Sequence, residues 1–87
     1  MWVVFLGNDY DMIKDIRVVC TSKEGAIEEA AEFAFNNQRF LNKKTKEWFK
    51  DELIRQLNDY TIAMVDFSGV DFIIYTHVGI TLVPIGD

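Results

Sequence analysis

Trp2-Val3-Val4-Phe5-Leu6 at one end of the chain, with Phe72-Ile73-Ile74-Tyr75 and Ile80-Thr81-Leu82-Val83-Pro84-Ile85 at the other, decides the fold. These runs lack the apolar/polar alternation of a strand with one wet face. Each predicts a strand that is apolar on both sides, which is more surface than one short helical segment can cover. A second layer, a second copy or a partner must bury the remainder.

Gly7 closes the first run and Asn8-Asp9-Tyr10-Asp11 supplies turn residues before a second strand around Ile16 to Cys20, making a hairpin. Alternation puts Ile16, Val18 and Cys20 on one face, the expected core side, and Arg17, Val19 and Thr21 on the other. The strand runs into Thr21-Ser22-Lys23-Glu24, where either hydroxyl can cap a helix and Thr21 with Glu24 fits the capping-box spacing. The helix that follows carries a wide stripe of Ala26, Ile27, Ala30, Ala31, Phe33, Ala34 and Phe35, with room to continue through Phe40 and Leu41 before Asn42-Lys43-Lys44 breaks it. Thr45 caps a second helix whose apolar face gathers Phe49, Leu53, Leu57 and Tyr60, with Ile54 at its margin. Trp48 falls on the polar side of that helix.

The last third predicts strands over Thr61 to Phe67, Val70 to Thr76 and Ile80 to Ile85, joined by turns at Ser68-Gly69 and His77-Val78-Gly79. Pro84 has no N–H for a ladder, so the last strand lies at a sheet edge or ends near that residue. The expected architecture is a single α+β domain over 1–87, in the order ββααβββ, with a mainly antiparallel sheet and two helices on one face. The alternative folds hairpin and meander against each other as two small sheets.

Composition agrees with a packed domain: 49% of the 87 residues are hydrophobic and 14% aromatic, far from the disordered class. Cys20 is the sole cysteine, so there is no disulfide framework and no cysteine pair for zinc, which points to a reducing compartment. No apolar run is long enough to span a bilayer and the N-terminus has no basic leader region, so the expectation is a soluble, cytoplasmic chain with no cofactor.

The net charge of -5 is unevenly spread. Residues 1–37 balance at -4, residues 38–60 at +2, and residues 61–87 at -3 with no base at all. Such a dipolar surface steers oppositely charged partners.

Five groups of residues invite a chemical reading. Asp9, Asp11 and Asp15 could offer oxygens to a cation, yet a calcium loop needs glycine where Lys14 stands. Cys20, just before a helix N-terminus, could act as a thiol nucleophile with His77, against the plainer reading of an inert cysteine. Asp66 and Asp71 could form an acid/base pair or simply flank a turn. The glutamates Glu28, Glu29 and Glu32 form an acidic face that could mimic phosphates in a partner's basic groove, or could just be solvated. Finally, Arg39, Lys43, Lys44, Lys46 and Trp48 interleave bases with aromatics, as surfaces that neutralise phosphate and stack bases do.

The strand, acidic turn, second strand, Thr-Ser-Lys-Glu segment and Ala-rich helix over Thr21 to Ala34 resemble small phage and mobile-element accessory proteins. That resemblance implies a non-enzymatic role in which the chain docks on and inhibits a host protein or defence complex, as small acidic anti-CRISPR proteins do. No functional residue carries over from it. The expected function is therefore protein binding in a host cytoplasm, through the acidic face or through open sheet surface at Val3, Phe5, Ile73 and Tyr75, where a homodimer could also form. The alternative is a nucleotide or nucleic-acid module using segment 39–50.

Overall fold

The computed structural model describes residues 1–68 and 74–84. Along the chain run β1 (Trp2–Gly7), β2 (Asp15–Cys20), α1 (Lys23–Asn37), α2 (Lys46–Leu57), β3 (Ile62–Asp66) and β4 (His77–Leu82). The four strands form one antiparallel sheet in the order β2-β1-β4-β3. The chain is thus a small α+β domain, and among the described residues it has a single sheet rather than two.

β1 and β4 are the central strands, which explains why both read as apolar on two faces. Val4, Leu6, Val78 and Ile80 point to the helices and join Ala63 and Val65 of β3 in the core. Against them pack Ala26, Ile27, Ala30, Ala31 and Ala34 of α1 and Phe49, Leu53 and Leu57 of α2. Alanines let α1 approach the sheet closely. It lies against β1, β2 and β4, while α2 lies beside α1 and over β3.

The opposite face is closed by the chain itself around Phe5. Its ring lies over Gly79, where a Cβ would come within 2.3 Å of Phe5 Cζ, and the His77 ring meets it edge-on at 6.4 Å. Phe5 is fully buried and Val3 nearly so, so neither is open to a partner in this conformation. Tyr75 is half-buried, packs against the helix-side core and donates its hydroxyl proton to Asp15. Ile73 lies outside the described residues.

Three local expectations are corrected. The register between β1 and β2 shifts after Val4, so Val18 opposes Val4 while Ile16 opposes Phe5 and Arg17 is the extra residue of a bulge. The bulge reverses the alternation. Val18 and Cys20 keep the core side, Ile16 moves to the outer face at 58% exposure, and the Arg17 guanidinium lies 4.6 Å over the Phe33 ring. His77, Val78 and Gly79, expected as a turn, are instead the first half of β4, each paired on both sides. The strand expected over Val70 to Thr76 lies mostly outside the described residues, and Ile74 to Thr76 are not strand. β4 ends at Leu82, two residues before Pro84.

Helix ends follow side-chain capping. The Ser22 hydroxyl accepts from Gly25 N–H at 3.0 Å and starts α1; the Thr45 hydroxyl accepts from Trp48 N–H at 3.1 Å and starts α2. α1 does not reach Leu41. Asn37 donates to the Phe33 carbonyl and Gln38 to that of Phe35, and Gln38 turns extended at ψ 141°. The Gln38 side chain thereby satisfies the Phe35 carbonyl, which a further turn would have used. Tyr60 falls past the end of α2 and is exposed.

Gly79→Ala should destabilise the domain by about 1–3 kcal/mol through overpacking against Phe5 and the Ala63 carbonyl. Equilibrium urea unfolding checks this; an unchanged midpoint would mean that Phe5 does not rest on Gly79.

Candidate functional site

Six bases stand between residues 38 and 60, and the fold divides them. Lys46 and Lys50, on successive turns of α2, both reach Glu28 of α1, Lys50 at 3.0 Å. Arg55 pairs with Glu52 at 2.7 Å within α2. Arg39, Lys43 and Lys44 pair with no carboxylate among the described residues. Lys44 instead holds its ammonium 5.2 Å from the centre of the Trp48 ring.

The acidic face and the basic segment expected from the sequence are thus joined at Glu28 and Lys46. Glu28 is a strut between the two helices, while Glu29 is half-buried and Glu32 exposed. Its carboxyl is held below the ordinary glutamate value, first by the hydrogen bond from Lys46 and then by that from Lys50. The same bond raises the Lys46 ammonium.

Of Arg39, Lys43 and Lys44, the last lines a groove of about 540 Å³, while Arg39 and Lys43 are exposed beside its lining residues Phe40 and Asn42 in the same connection. One wall is the connection between the helices, with Phe40, Leu41, Asn42 and Lys44; the second is α2, with Trp48 and Glu52; the third is the edge strand β3, with Met64, Val65 and Asp66. Trp48 stands edge-on to the buried Phe49, 5.3 Å between ring centres, and keeps 42% of its surface exposed. Leu41 is 98% exposed.

Two glutamines hold these walls in place. The buried Gln38 accepts from the Lys44 N–H at 2.6 Å and donates to the Lys44 carbonyl at 2.8 Å, so its amide pairs with one residue as a neighbouring strand would. Gln56 treats Met64 in the same way, accepting from its N–H and donating to its carbonyl at 2.9 Å each. Because β3 is a sheet edge, Gln56 also covers main-chain groups that would otherwise invite another strand.

The other sequence candidates do not assemble into chemistry. Cys20 pairs with Trp2 on the helix side of the sheet, whereas His77 pairs with Gly7 on the opposite side and donates from Nε2 to the Met12 carbonyl at 2.8 Å. Burial and the charge of Glu29 push the Cys20 thiol up, away from thiolate. In the hairpin loop, Asn8 Oδ1 accepts from the N–H groups of Tyr10 and Asp11, and Asp15 is taken by Tyr75, whose hydroxyl is raised by that bond. Asp66 is exposed on the groove wall and Asp71 lies outside the described residues. Among the described residues no three His, Cys, Asp or Glu side chains cluster closely enough to hold a metal, and no helix is long and apolar enough to cross a membrane.

Sequence reasoning found Lys44 and Trp48, and Asp66 only as half of an acid/base pair; it missed Glu52, Met64 and the two clamping glutamines. A glutamine that pairs with a main chain six or eight residues away leaves no periodic signal. Compared with known proteins, the chain matches no family model, no curated protein and no solved structure.

Two outcomes test this arrangement. A lowered carboxyl contributes stability that is fully present above the unfolded-state value and is lost as pH falls through the folded-state value. The stability gap between the natural chain and Glu28→Gln should therefore narrow on acidification through and below the ordinary carboxylate range, and narrow with salt at neutral pH. Thermal unfolding across that range checks it, and a gap that stays constant with pH would remove the strut. Gln38→Ala should cost about 1–3 kcal/mol by leaving the main chain at Lys44 unpaired. Hydrogen exchange should show the Lys44 amide opening much faster than amides in α1; unaltered protection would show that the clamp is dispensable.

Proposed function

We propose that the chain is a non-enzymatic protein-binding domain that receives apolar side chains of a partner protein in the groove between residues 40–44, α2 and β3. The observation that carries this reading is the pairing of a fully exposed leucine, Leu41, with the half-exposed Trp48 at the rim of a preformed apolar hollow. A single exposed leucine is ordinary, but one beside an exposed tryptophan and a concavity in the usual range of ligand sites, roughly 300–1,000 Å³, has the make-up of an interaction hot spot. The glutamine clamps support the reading because they order both walls before binding, which lowers the entropy cost of association.

The groove also fits the role that the sequence resemblance implies, a small accessory protein that docks on a host protein and blocks it in the host cytoplasm. The separation of Cys20 and His77 on opposite sides of the sheet supports a binding role over thiol catalysis. Lys46 and Lys50 are occupied by Glu28, which leaves fewer cations for phosphates than a nucleic-acid surface commonly uses.

Replacing Leu41 with a photo-crosslinking residue should give one discrete adduct in a bacterial lysate. Adding Trp48→Ala should abolish the adduct while leaving the melting temperature within a few degrees. The same crosslinker at Val19, an exposed residue of the edge strand β2 away from the groove, should give none; equal adducts from both positions would overturn the groove as the docking site.

A further inference from the structure

We infer that the groove takes an acidic segment of its partner, with apolar side chains seated against Leu41 and Trp48 and carboxylates meeting Arg39, Lys43 and Lys44. This rests on the groove being the binding surface. It follows from how the fold distributes charge. Of the six bases between residues 38 and 60, the three without a carboxylate among the described residues all stand within the connection between the helices, four residues or fewer from Leu41 or Trp48 in sequence. The three others already meet carboxylates: Lys46 and Lys50 share Glu28 between the helices, and Arg55 takes Glu52 within α2.

The rest of the chain is acidic, so this lip is where an acidic partner is attracted while other surfaces repel it. The opposite walls orient the ligand further. Glu52 is neutralised by Arg55, but Asp66 is exposed and repels carboxylates from the β3 side toward the lip.

The mode of binding is also restricted. β3 does not offer its edge for strand addition near the groove, because Gln56 occupies both main-chain groups of Met64 and the Phe67 carbonyl accepts from Arg39 N–H at 2.7 Å. The partner is therefore read through side chains. Lys44 covers one face of the Trp48 ring, leaving less of it for a stacked nucleobase, and the aliphatic Leu41 and Met64 suit side chains better than bases.

Trp2→Phe leaves Trp48 as the sole tryptophan, so its emission reports on the groove. In that variant, four probes are titrated at low salt: an acetylated peptide with Phe-Leu flanked by glutamates, its lysine-flanked counterpart, a glutamate peptide with serines replacing Phe-Leu, and a single-stranded oligothymidylate. The glutamate-flanked Phe-Leu peptide should shift Trp48 emission saturably. The double variant Arg39→Glu with Lys43→Glu, both exposed positions, should weaken it about tenfold or more with an unchanged melting curve. The lysine and serine peptides should each bind at least about tenfold more weakly. Equal or tighter binding of the lysine peptide would overturn the acidic partner and leave the groove reading standing. Equal binding of the serine peptide would mean that the hollow is not used. Saturable binding by no peptide would overturn both readings, and tighter binding of the oligothymidylate would reassign the lip to nucleic acid.

Discussion

The pairing of β1 with β4 is the interaction on which the remaining structure depends. These two strands come from opposite ends of the chain, matched from Trp2 against Leu82 to Gly7 against His77. Beyond them the terminal ammonium of Met1 donates to the Val83 carbonyl, and Val83 N–H returns a bond to Met1. Because β4 is drawn to the centre, β3 becomes an edge and α2 comes to rest over it. Phe5 can lie flat only because Gly79 has no side chain at the opposing position. Contacts spanning nearly the whole chain must therefore form before the groove has walls, a topology that slows folding.

The second constraint is electrostatic. Glu28 draws two lysines of α2 onto α1, and this fixes which basic residues are structural and which, among the described residues, stay unpaired in the connection between the helices. These pairs are exposed and individually modest. Their larger effect is on placement: they leave the cations concentrated in one short connection whose main chain Gln38 holds in position.

Much of the fold was legible because it is local. The hairpin, the capping of the second helix at Thr45, the alanine stripe and the buried Phe49, Leu53 and Leu57 all follow from turn chemistry and periodicity. What was not legible depended on partners far along the chain. The Arg17 bulge exists only in relation to β1, and His77-Val78-Gly79 reads as a turn until both of its neighbouring strands are known. The end of α1 was decided by Gln38 reaching Lys44, not by a helix breaker. The site divided in the same way, since the aromatic-basic segment was visible as a run while Met64 and Asp66 join it from a different strand.

By itself, the sequence determined that the chain is an α+β domain, that its first and last strands are apolar on both faces, and that charge is segregated along its length. Burial and capping act on neighbouring residues, so pattern alone reveals them. Only the tertiary structure decided how the two-faced strands are satisfied: they are central, with helices on one side and Phe5 closing over Gly79 on the other. Only it decided which lysines are consumed by Glu28 and which stay unpaired among the described residues, because an ion pair between residues eighteen positions apart depends on how two helices pack.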